Sequence, residues 1–426
     1  MKIKLLCLGV QDVIPPDDGG KEGVHGALAA LARTADVTYA YPARTYNPAA
    51  ARGYARINVH AVPVRFLPRE SAAVIAGSTL RLLPFKFAKY ATSRAVASFT
   101  EALKAVQFDA ILCFYAHTVR LAEGILKRRG AGVPILLRAN DIGYQVVESY
   151  VRHLRMPLRL AGAAYAWITR RNEQNIWRRV AAVALISDAD MSAAHDSGVR
   201  ANFILARDGT PLPAVRNAAW PGRTAQLLVL FNPRTPPNVL NLRLFFDRYW
   251  AKVQARGLLP GIPLAVTGVD KARLASLLRV DVAQLDAQNV RALGYVQSLP
   301  AVFASSLALV SASFVGAGVR KKVLEAMAHQ LPVIATPLDI SSCSFYETDV
   351  NVLSMDSVDR FVSVVKRLTD DPRFWAQLSQ AGRSTVERHA NWQDFAEVMM
   401  GEAVRLVRAS RSRAIGGPEL EATIGR

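Results

Sequence analysis

SFVGAGVRKKVLEAMAHQLPVIATP, running from Ser313 to Pro337, is the stretch that decides how the rest of the chain is read. It predicts a glycine-bearing loop, a helix over about Val319–His329 and then a buried strand. Gly316 and Gly318 allow a tight turn and a close approach of backbone to a ligand. Leu324, Met327 and Ala328 recur at helical spacing. Arg320, Lys321 and Lys322 crowd the first turn, where the helix already carries partial positive charge. Cations in that place make sense against a docked anion, and phosphate is the usual one. Glu325 follows Gly318 by about two turns, which puts both on one helix face. A carboxylate only accepts hydrogen bonds, so it can take both vicinal hydroxyls of a ribose. Phosphates at the helix start and a ribose along it describe a nucleotide diphosphate. Lys321 and Lys322 also stand at i,i+4 and i,i+3 to Glu325, so pairing along the helix fits the same spacing.

The stretch resembles the donor-site motif of family 4 (group 1) retaining glycosyltransferases, in the variant G-x-G-x-R-x-K-V-x-E-A-M-A followed by a P-V-x-x-T strand. Gly316, Gly318, Arg320, Lys322, Val323, Glu325, Ala326, Met327, Ala328, Pro332, Val333 and Thr336 fall in place. LGYVQSLPAVFASSLALVSAS (Leu293–Ser313), ALISDADMSAAHDSGV with the later ARDGTPLP, and DDGGKEGVHGALAALA resemble further segments of the family. They carry the likeness to about residue 405, more strongly in the C-terminal half. The resemblance implies an α/β chain of the GT-B type: two facing Rossmann-like parallel-sheet domains, a cleft between them and a C-terminal helix that crosses back. It also implies transfer of a sugar from a nucleotide-diphosphate donor, UDP- or GDP-linked, to an acceptor hydroxyl with retention. One position departs. The common motif carries two glutamates, and the first would stand where this chain has Ala317. In the family the first touches the donor sugar or its phosphate and the second, here Glu325, binds the ribose. The likeness therefore implies nucleotide binding more directly than sugar handling.

Composition bounds the rest. At 426 residues, 51% hydrophobic, the chain has room for two full cores. No apolar run reaches the ~18 residues needed to span a bilayer. MKIKLLCLGV, followed by Pro15, Pro16, Asp17 and Asp18, reads as a first strand rather than a signal peptide. Cys7, Cys113 and Cys343 lie far apart in apolar surroundings, which predicts reduced core thiols in a cytoplasmic protein. The formal charge of +19 favours anionic partners. One basic stretch carries Arg65, Arg69, Arg81, Lys86, Lys89 and Arg94 among Phe66, Leu82, Leu83, Phe85, Phe87 and Tyr90. A second carries Arg152, Arg155, Arg159, Arg170, Arg171, Arg178 and Arg179. Basic residues interleaved with apolar ones predict peripheral contact with an anionic membrane surface. Ordinary solvated helix faces in an arginine-rich chain fit the same pattern.

Apolar runs alternate with helical ones, as in parallel α/β sheets. Strands are expected at about Ile3–Gly9, Ile57–Val62, Ala110–Tyr115, Pro134–Leu137, Ala182–Ile186 and Phe203–Leu205, and again at Leu227–Phe231, Pro263–Thr267, Asn289–Leu293, Leu307–Val310 and Pro332–Ala335. The proline- and glycine-containing text from Asp208 to Thr224 marks a linker. The expected division is an acceptor-binding domain over 1–210, a donor-binding domain over 211–391, a helix over 392–408 packed on the first domain, and a mobile tail over 409–426. Ser187 is the expected N-cap of a helix ending at Gly198, and Asn238 that of the helix Val239–Arg256.

In open parallel sheets ligands lie beyond the carboxyl ends of the strands. Candidates there are Gly19 and Gly20 after the first strand, Asn232 and Arg234 after the first strand of the second half, Gly268, and Tyr295 with Val296. With Gly316, Gly318, Val319, Arg320, Lys321, Lys322 and Glu325 they make up the expected donor site. A turn accounts equally for each lone glycine. His117 follows the strand AILCFYA and is a candidate near the reacting sugar, or a structural loop histidine. Arg138, Asn140 and Asp141 follow PILL, and Asp141 is either an acceptor-side carboxylate or the cap of the next helix; His25 has similar standing. Arg320 and Lys322 are the residues expected to stabilise the departing diphosphate. No cofactor beyond the donor and no metal is expected, because the D-A-D of Asp188 and Asp190 follows a strand whose counterpart in the family is structural. The acceptor is expected to be a sugar or a lipid-linked sugar. A nucleotide-sugar epimerase, a non-catalytic nucleotide-sugar-binding protein and a nucleic-acid-binding protein are the competing readings. The last leaves the motif unexplained, and the charge forms no recognised nucleic-acid motif.

Overall fold

The computed structural model describes residues 2–66, 78, 82–214, 219–222 and 225–415. Arg69, Arg81, Thr224 and the expected tail from 416 onward lie outside the described residues. Two compact units divide the chain: residues 1–148, 154–208 and 392–426 form one, residues 149–153 and 209–391 the other.

The first unit holds seven parallel strands: β1 Lys4–Leu8, β2 Asp36–Ala43, β3 Val59–Arg65, β4 Ala110–Phe114, β5 Ile135–Ala139, β6 Ala182–Leu185 and β7 Phe203–Leu205, in the order β3-β2-β1-β4-β5-β6-β7. Their near-continuous apolar text is what strands covered on both faces need. Sequence patterning passes over β2. Its buried Val37, Tyr39, Ala40 and Tyr41 stand beside Asp36 and Pro42, which break the apolar run. The helix Gly19–Leu31 starts earlier than the pattern suggests, because Asp18 caps it by accepting from Lys21 N at 2.9 Å. Gly19 and Gly20 are therefore the first residues of that helix, not the end of a loop.

The final helix, Trp392–Ile415, belongs to this unit. Phe395, Ala396, Met399, Ala403 and Val407 are buried in one cluster with Leu5 and Cys7 of β1 and with Ala27 and Leu28 of the first helix. Gly26 makes the contact close: a Cβ there would stand 2.1 Å from the Trp392 ring. The helix runs past its expected end, so residues 409–415 are helical, not a tail. Arg411 fixes that last turn on Asp109 at 2.6 Å. Arg138, fully buried at the end of β5, pairs with Asp208 and lies 5.6 Å from each of the Phe114 and Phe395 rings. It is a structural tie between the end of β5 and the segment after β7. All three cysteines are free and buried, and burial pushes the Cys113 thiol up to about 12.

The second unit holds β8 Gln226–Val229, β9 Leu264–Thr267, β10 Val290–Gly294, β11 Ser306–Ser311, β12 Val333–Ala335 and β13 Leu353–Ser354, again all parallel, in the order β10-β9-β8-β11-β12-β13. The chain winds outward from β8 in one direction and from β11 in the other, so the switch point lies between them. After β8 the helix starts at Pro236 with Thr235 in the cap position, and Asn238 lies inside it. Two prolines at the helix start explain the shift, since proline suits the first helical positions.

Phe395→Ala should lower the stability of the first unit by ~3–4 kcal/mol in urea unfolding, the range for emptying a buried aromatic site. An unchanged midpoint would show that the final helix contributes nothing to that core.

Candidate nucleotide-binding site

The helix of the opening stretch spans Lys321–Ala328, with Arg320 at the N-cap in extended conformation. Val323, Leu324, Ala326, Met327 and Ala328 are buried, and Val319 packs against the same cluster. Gly316 and Gly318 precede it with φ of 124° and 74°. Gly318 is thus in the loop and not on a helical face with Glu325 as its spacing suggested. Left-handed backbone at both glycines carries the chain from the end of β11 into the helix. At Gly316 an added Cβ would lie 2.9 Å from Arg320 Nη2, so the missing side chain also makes room for the guanidinium.

Arg320 is held in place. Its Nε donates to Asp339 Oδ1 at 2.7 Å and its Nη1 to the Ala317 carbonyl at 2.8 Å. Asp339 is 1% exposed and lies in the short helix Pro337–Ile340 after β12. Its other oxygen accepts from Ser311 Oγ at 2.6 Å and from Ser313 N at 3.3 Å. Thr336 Oγ1 donates to the Ser313 carbonyl at 2.7 Å. One buried carboxylate thereby joins the ends of β11 and β12 and points a guanidinium. Position 317 contributes its backbone carbonyl to this arrangement, a contact independent of its side chain. On the other flank the Asn241 side chain accepts from Phe314 N at 2.8 Å and Val315 N at 2.9 Å, and donates to the Val315 carbonyl at 3.0 Å. The loop before the helix is thus pinned from both neighbours at the switch point. Sequence reading missed both Asp339 and Asn241. The available signal was a Thr-Pro cap followed by an acid, which alone reads as an ordinary helix start.

Lys322 is half-buried. Desolvation lowers its pKa from the ordinary lysine value, Asp339 opposes that shift and Arg320 adds to it. A bound anion would offset the same desolvation. Lys321 Nζ donates to the Gly209 carbonyl at 3.0 Å. Glu325 is half-buried on the helix, and its backbone carbonyl takes a contact of 2.9 Å from the His329 ring.

The remaining candidates of this unit gather at the same carboxyl edge of the sheet. Asn232 Oδ1 accepts from Arg234 N at 3.0 Å in a local turn, and Arg234 is exposed. Gly268, at φ 78°, lets the loop after β9 approach β8, since a Cβ would lie 2.1 Å from the Phe231 carbonyl oxygen. Tyr295 is 78% exposed just past β10, with Val296 beside it. A surface depression of the first unit lined by Lys4, Phe108, Asp109 and Arg129 lies at the opposite, amino end of its strands and bears on none of these residues.

In the first unit Gly20 sits below Tyr115, its Cβ position 3.2 Å from that hydroxyl. His117 lies in a turn after β4, with its ring 5.2 Å from Tyr90, 5.4 Å from Tyr115 and 6.2 Å from Phe87. Burial, with Lys86 and Lys89 nearby, brings its pKa down to about 3. Such an imidazole is neutral at physiological pH and a weak proton acceptor, suited to packing and hydrogen bonding. His25 is lowered by burial as well. Asp141 is exposed after β5. Glu173 takes the amides of Gly143 and Tyr144 at the start of the helix Gly143–Val151, at 3.1 and 3.0 Å, so a distant helix supplies that cap. Asp188 pairs with Arg207 at 2.6 Å and Asp190 accepts from Ser187 Oγ at 2.7 Å, which makes D-A-D a structural element. Ser187 caps its helix as expected.

Residues 226–371 match the family model described as glycosyl transferases group 1. That span lies within the second unit and takes in the motif from Gly316 to Thr336. No curated protein matches the chain. Among solved structures, the chain is similar to the Anabaena HepE protein in complex with UDP and glucose, at 13% identity and a TM-score of 0.62, covering 95% of this chain and 99% of that one. Sucrose-phosphate synthase from Thermosynechococcus elongatus gives 17% identity and a TM-score of 0.65, covering 96% and 100%. The lipopolysaccharide outer core galactosyltransferase WaaB in its apo form gives 14% and 0.56, covering 94% and 100%. These likenesses show a GT-B fold across both units.

Two predictions follow from this geometry. Asp339→Asn should weaken UDP or GDP binding about tenfold, ~1.4 kcal/mol, by loosening the guanidinium. Calorimetric titration showing parental affinity would remove Asp339 from the site's support. Glu173 tests the electrostatics of the first unit. Burial pushes its pKa up to about 8, against the backbone donors that lower it. The native state then holds a proton that the unfolded chain has lost, from the ordinary glutamate range up to about 8. Its stabilising effect is present at acid pH and is lost as pH rises through that window. Glu173→Gln, which resembles the protonated form, should match the parent near pH 5 and be the more stable of the two near pH 9. Parallel stability curves across that range would contradict the assignment.

Proposed function

We propose that the protein moves a hexose-type sugar from a UDP- or GDP-linked donor to a hydroxyl of a sugar or lipid-linked acceptor. The reaction proceeds with retention and serves polysaccharide or glycolipid synthesis at the cytoplasmic membrane face. The observation that carries the reading is the clamped guanidinium of Arg320 beside the desolvated Lys322 at the start of the helix Lys321–Ala328. The UDP and glucose bound by the similar Anabaena protein support the donor class.

Charge builds on the leaving diphosphate as the glycosidic bond breaks. Arg320, Lys322 and the positive helix start are arranged to meet it, with Arg234 as a more exposed contributor. Preoriented charge of this kind is commonly worth several kcal/mol in a transition state. Glu325 binds the ribose, and the backbone after β10 at Tyr295 and Val296 holds the base. An oxygen of the departing phosphate assists deprotonation of the acceptor, so no protein base of high pKa is needed, in keeping with the weakly basic His117. Asp141 stands on the acceptor side. Beyond the donor and the acceptor the reaction calls for no cofactor. A second reading, a non-catalytic nucleotide-sugar-binding protein, draws on Ala317, which leaves the usual sugar contact without a carboxylate.

Hydrolysis or transfer from a panel of UDP- and GDP-sugars separates the two readings. At least one donor should turn over. Arg320→Ala and Glu325→Ala should each lose nucleotide affinity by ~10-fold or more, the loss of one charge-assisted contact. Parental affinity in either variant would show that the site is elsewhere. Binding without turnover of any donor would favour the non-catalytic reading.

A further inference from the structure

We propose that the turn at Arg155–Pro157 and the first three turns of the helix Leu158–Trp177 form a docking element that seats the first unit on an anionic lipid surface. The proposal deepens the membrane-face part of the reading above by naming the surface responsible.

The helix is divided along its length. Its buried residues are Ala166, Thr169, Asn172, Glu173, Ile176 and Trp177, all in its later part. Before them nothing is buried, yet the segment is apolar. Met156 and Leu158 are each 64% exposed and Leu160 is 63%, and Trp167, one residue past the first buried position, is 54%. Together with Tyr165 they gather five of the large exposed apolar side chains of the described residues into one short stretch. A lone exposed leucine needs no explanation, but a cluster marks a contact surface. The neighbouring segment adds to it: Leu82 is 52% exposed, and its carbonyl accepts from Asn172 Nδ2 at 2.9 Å.

The charges select the occupant. From Arg152 through Arg171 the chain carries Arg152, Arg155, Arg159, Arg170 and Arg171 and not one carboxylate. Arg155 and Arg159 are exposed among the apolar residues, and Arg171 lies over the Trp167 ring at 5.7 Å. A second copy of this chain would set arginine against arginine, with a net charge of +19 on each molecule. A lipid surface bearing anionic headgroups meets both parts of the segment. Leucine, methionine and the tryptophan ring enter the acyl boundary while the guanidinium groups stay at the phosphates. Each basic residue near such a surface contributes ~1 kcal/mol, and the contribution falls with salt.

The test is sedimentation with vesicles of phosphatidylcholine alone and of phosphatidylcholine with phosphatidylglycerol, without donor or acceptor, so that it is independent of transfer. Binding should require phosphatidylglycerol and weaken at high salt. Leu158→Ser combined with Leu160→Ser and Trp167→Ser should reduce it about tenfold or more, as should Arg155→Glu with Arg159→Glu. Because these side chains are exposed and outside the buried core, both variants should keep the parental melting temperature and donor hydrolysis in lipid-free solution. Equal binding to both vesicle types, or undiminished binding by the two variants, would overturn the proposal. So would vesicle binding that persists while the variants convert an oligomer to monomer in sizing chromatography, which would mark the patch as a self-association surface. Lost donor turnover with intact vesicle binding would count against the transferase reading and leave this one standing.

Discussion

Every strand in both sheets runs the same way, and that constraint organises the candidate site. A loop that follows a parallel strand must emerge at the sheet's carboxyl edge. In the second unit this brings residues after β8, β9, β10, β11 and β12 to one border, although they are spread over more than a hundred positions of sequence. The strand order then sets which of them are neighbours. Because β8 and β11 adjoin while their following helices diverge, the loop of Gly316 and Gly318 stands in the gap between two helices. It needs support from both sides, and Asn241 and Asp339 supply it.

Asp339 shows how such an edge acquires chemistry. A carboxylate removed from water is costly unless its oxygens are satisfied. Here Ser311, Ser313 and Arg320 satisfy them. The reciprocal effect is on Arg320, a flexible side chain that now has one orientation before any ligand arrives. Preorganisation of this kind reduces the entropy lost when an anion binds. The Ala317 carbonyl adds to the same effect by accepting from Arg320 Nη1.

Much of this was legible in the sequence, and the exceptions are instructive. The glycine loop, the basic helix start and the alternation of buried strands follow from local patterns, and the structure has them close to the expected positions. The motif pointed to a group 1 glycosyltransferase and a GT-B fold: the group 1 family model matches residues 226–371, and the similar solved structures share the fold. Long-range partnerships were hidden. Asp339 reads locally as a helix-start acid, Glu173 as a mid-helix glutamate and Arg138 as a cation at the end of a strand. Each takes its meaning from a residue at least 19 positions away, as Asp339 does from Arg320. β2 escaped for a different reason: its tyrosines stack on one another and on Tyr54, so aromatic packing replaces the aliphatic run that patterning looks for.

The final helix has a consequence for the order in which the protein forms. Phe395, Met399 and Val407 complete the core that begins with Leu5 in β1, nearly four hundred residues earlier. During synthesis the first unit emerges long before the helix that covers it. Its apolar face around Ala27 and Leu28 therefore stays open to solvent until the second unit has been made. At ~5–20 residues per second that is a wait of tens of seconds on the ribosome. The last helix is thus the step that closes the core of the first unit.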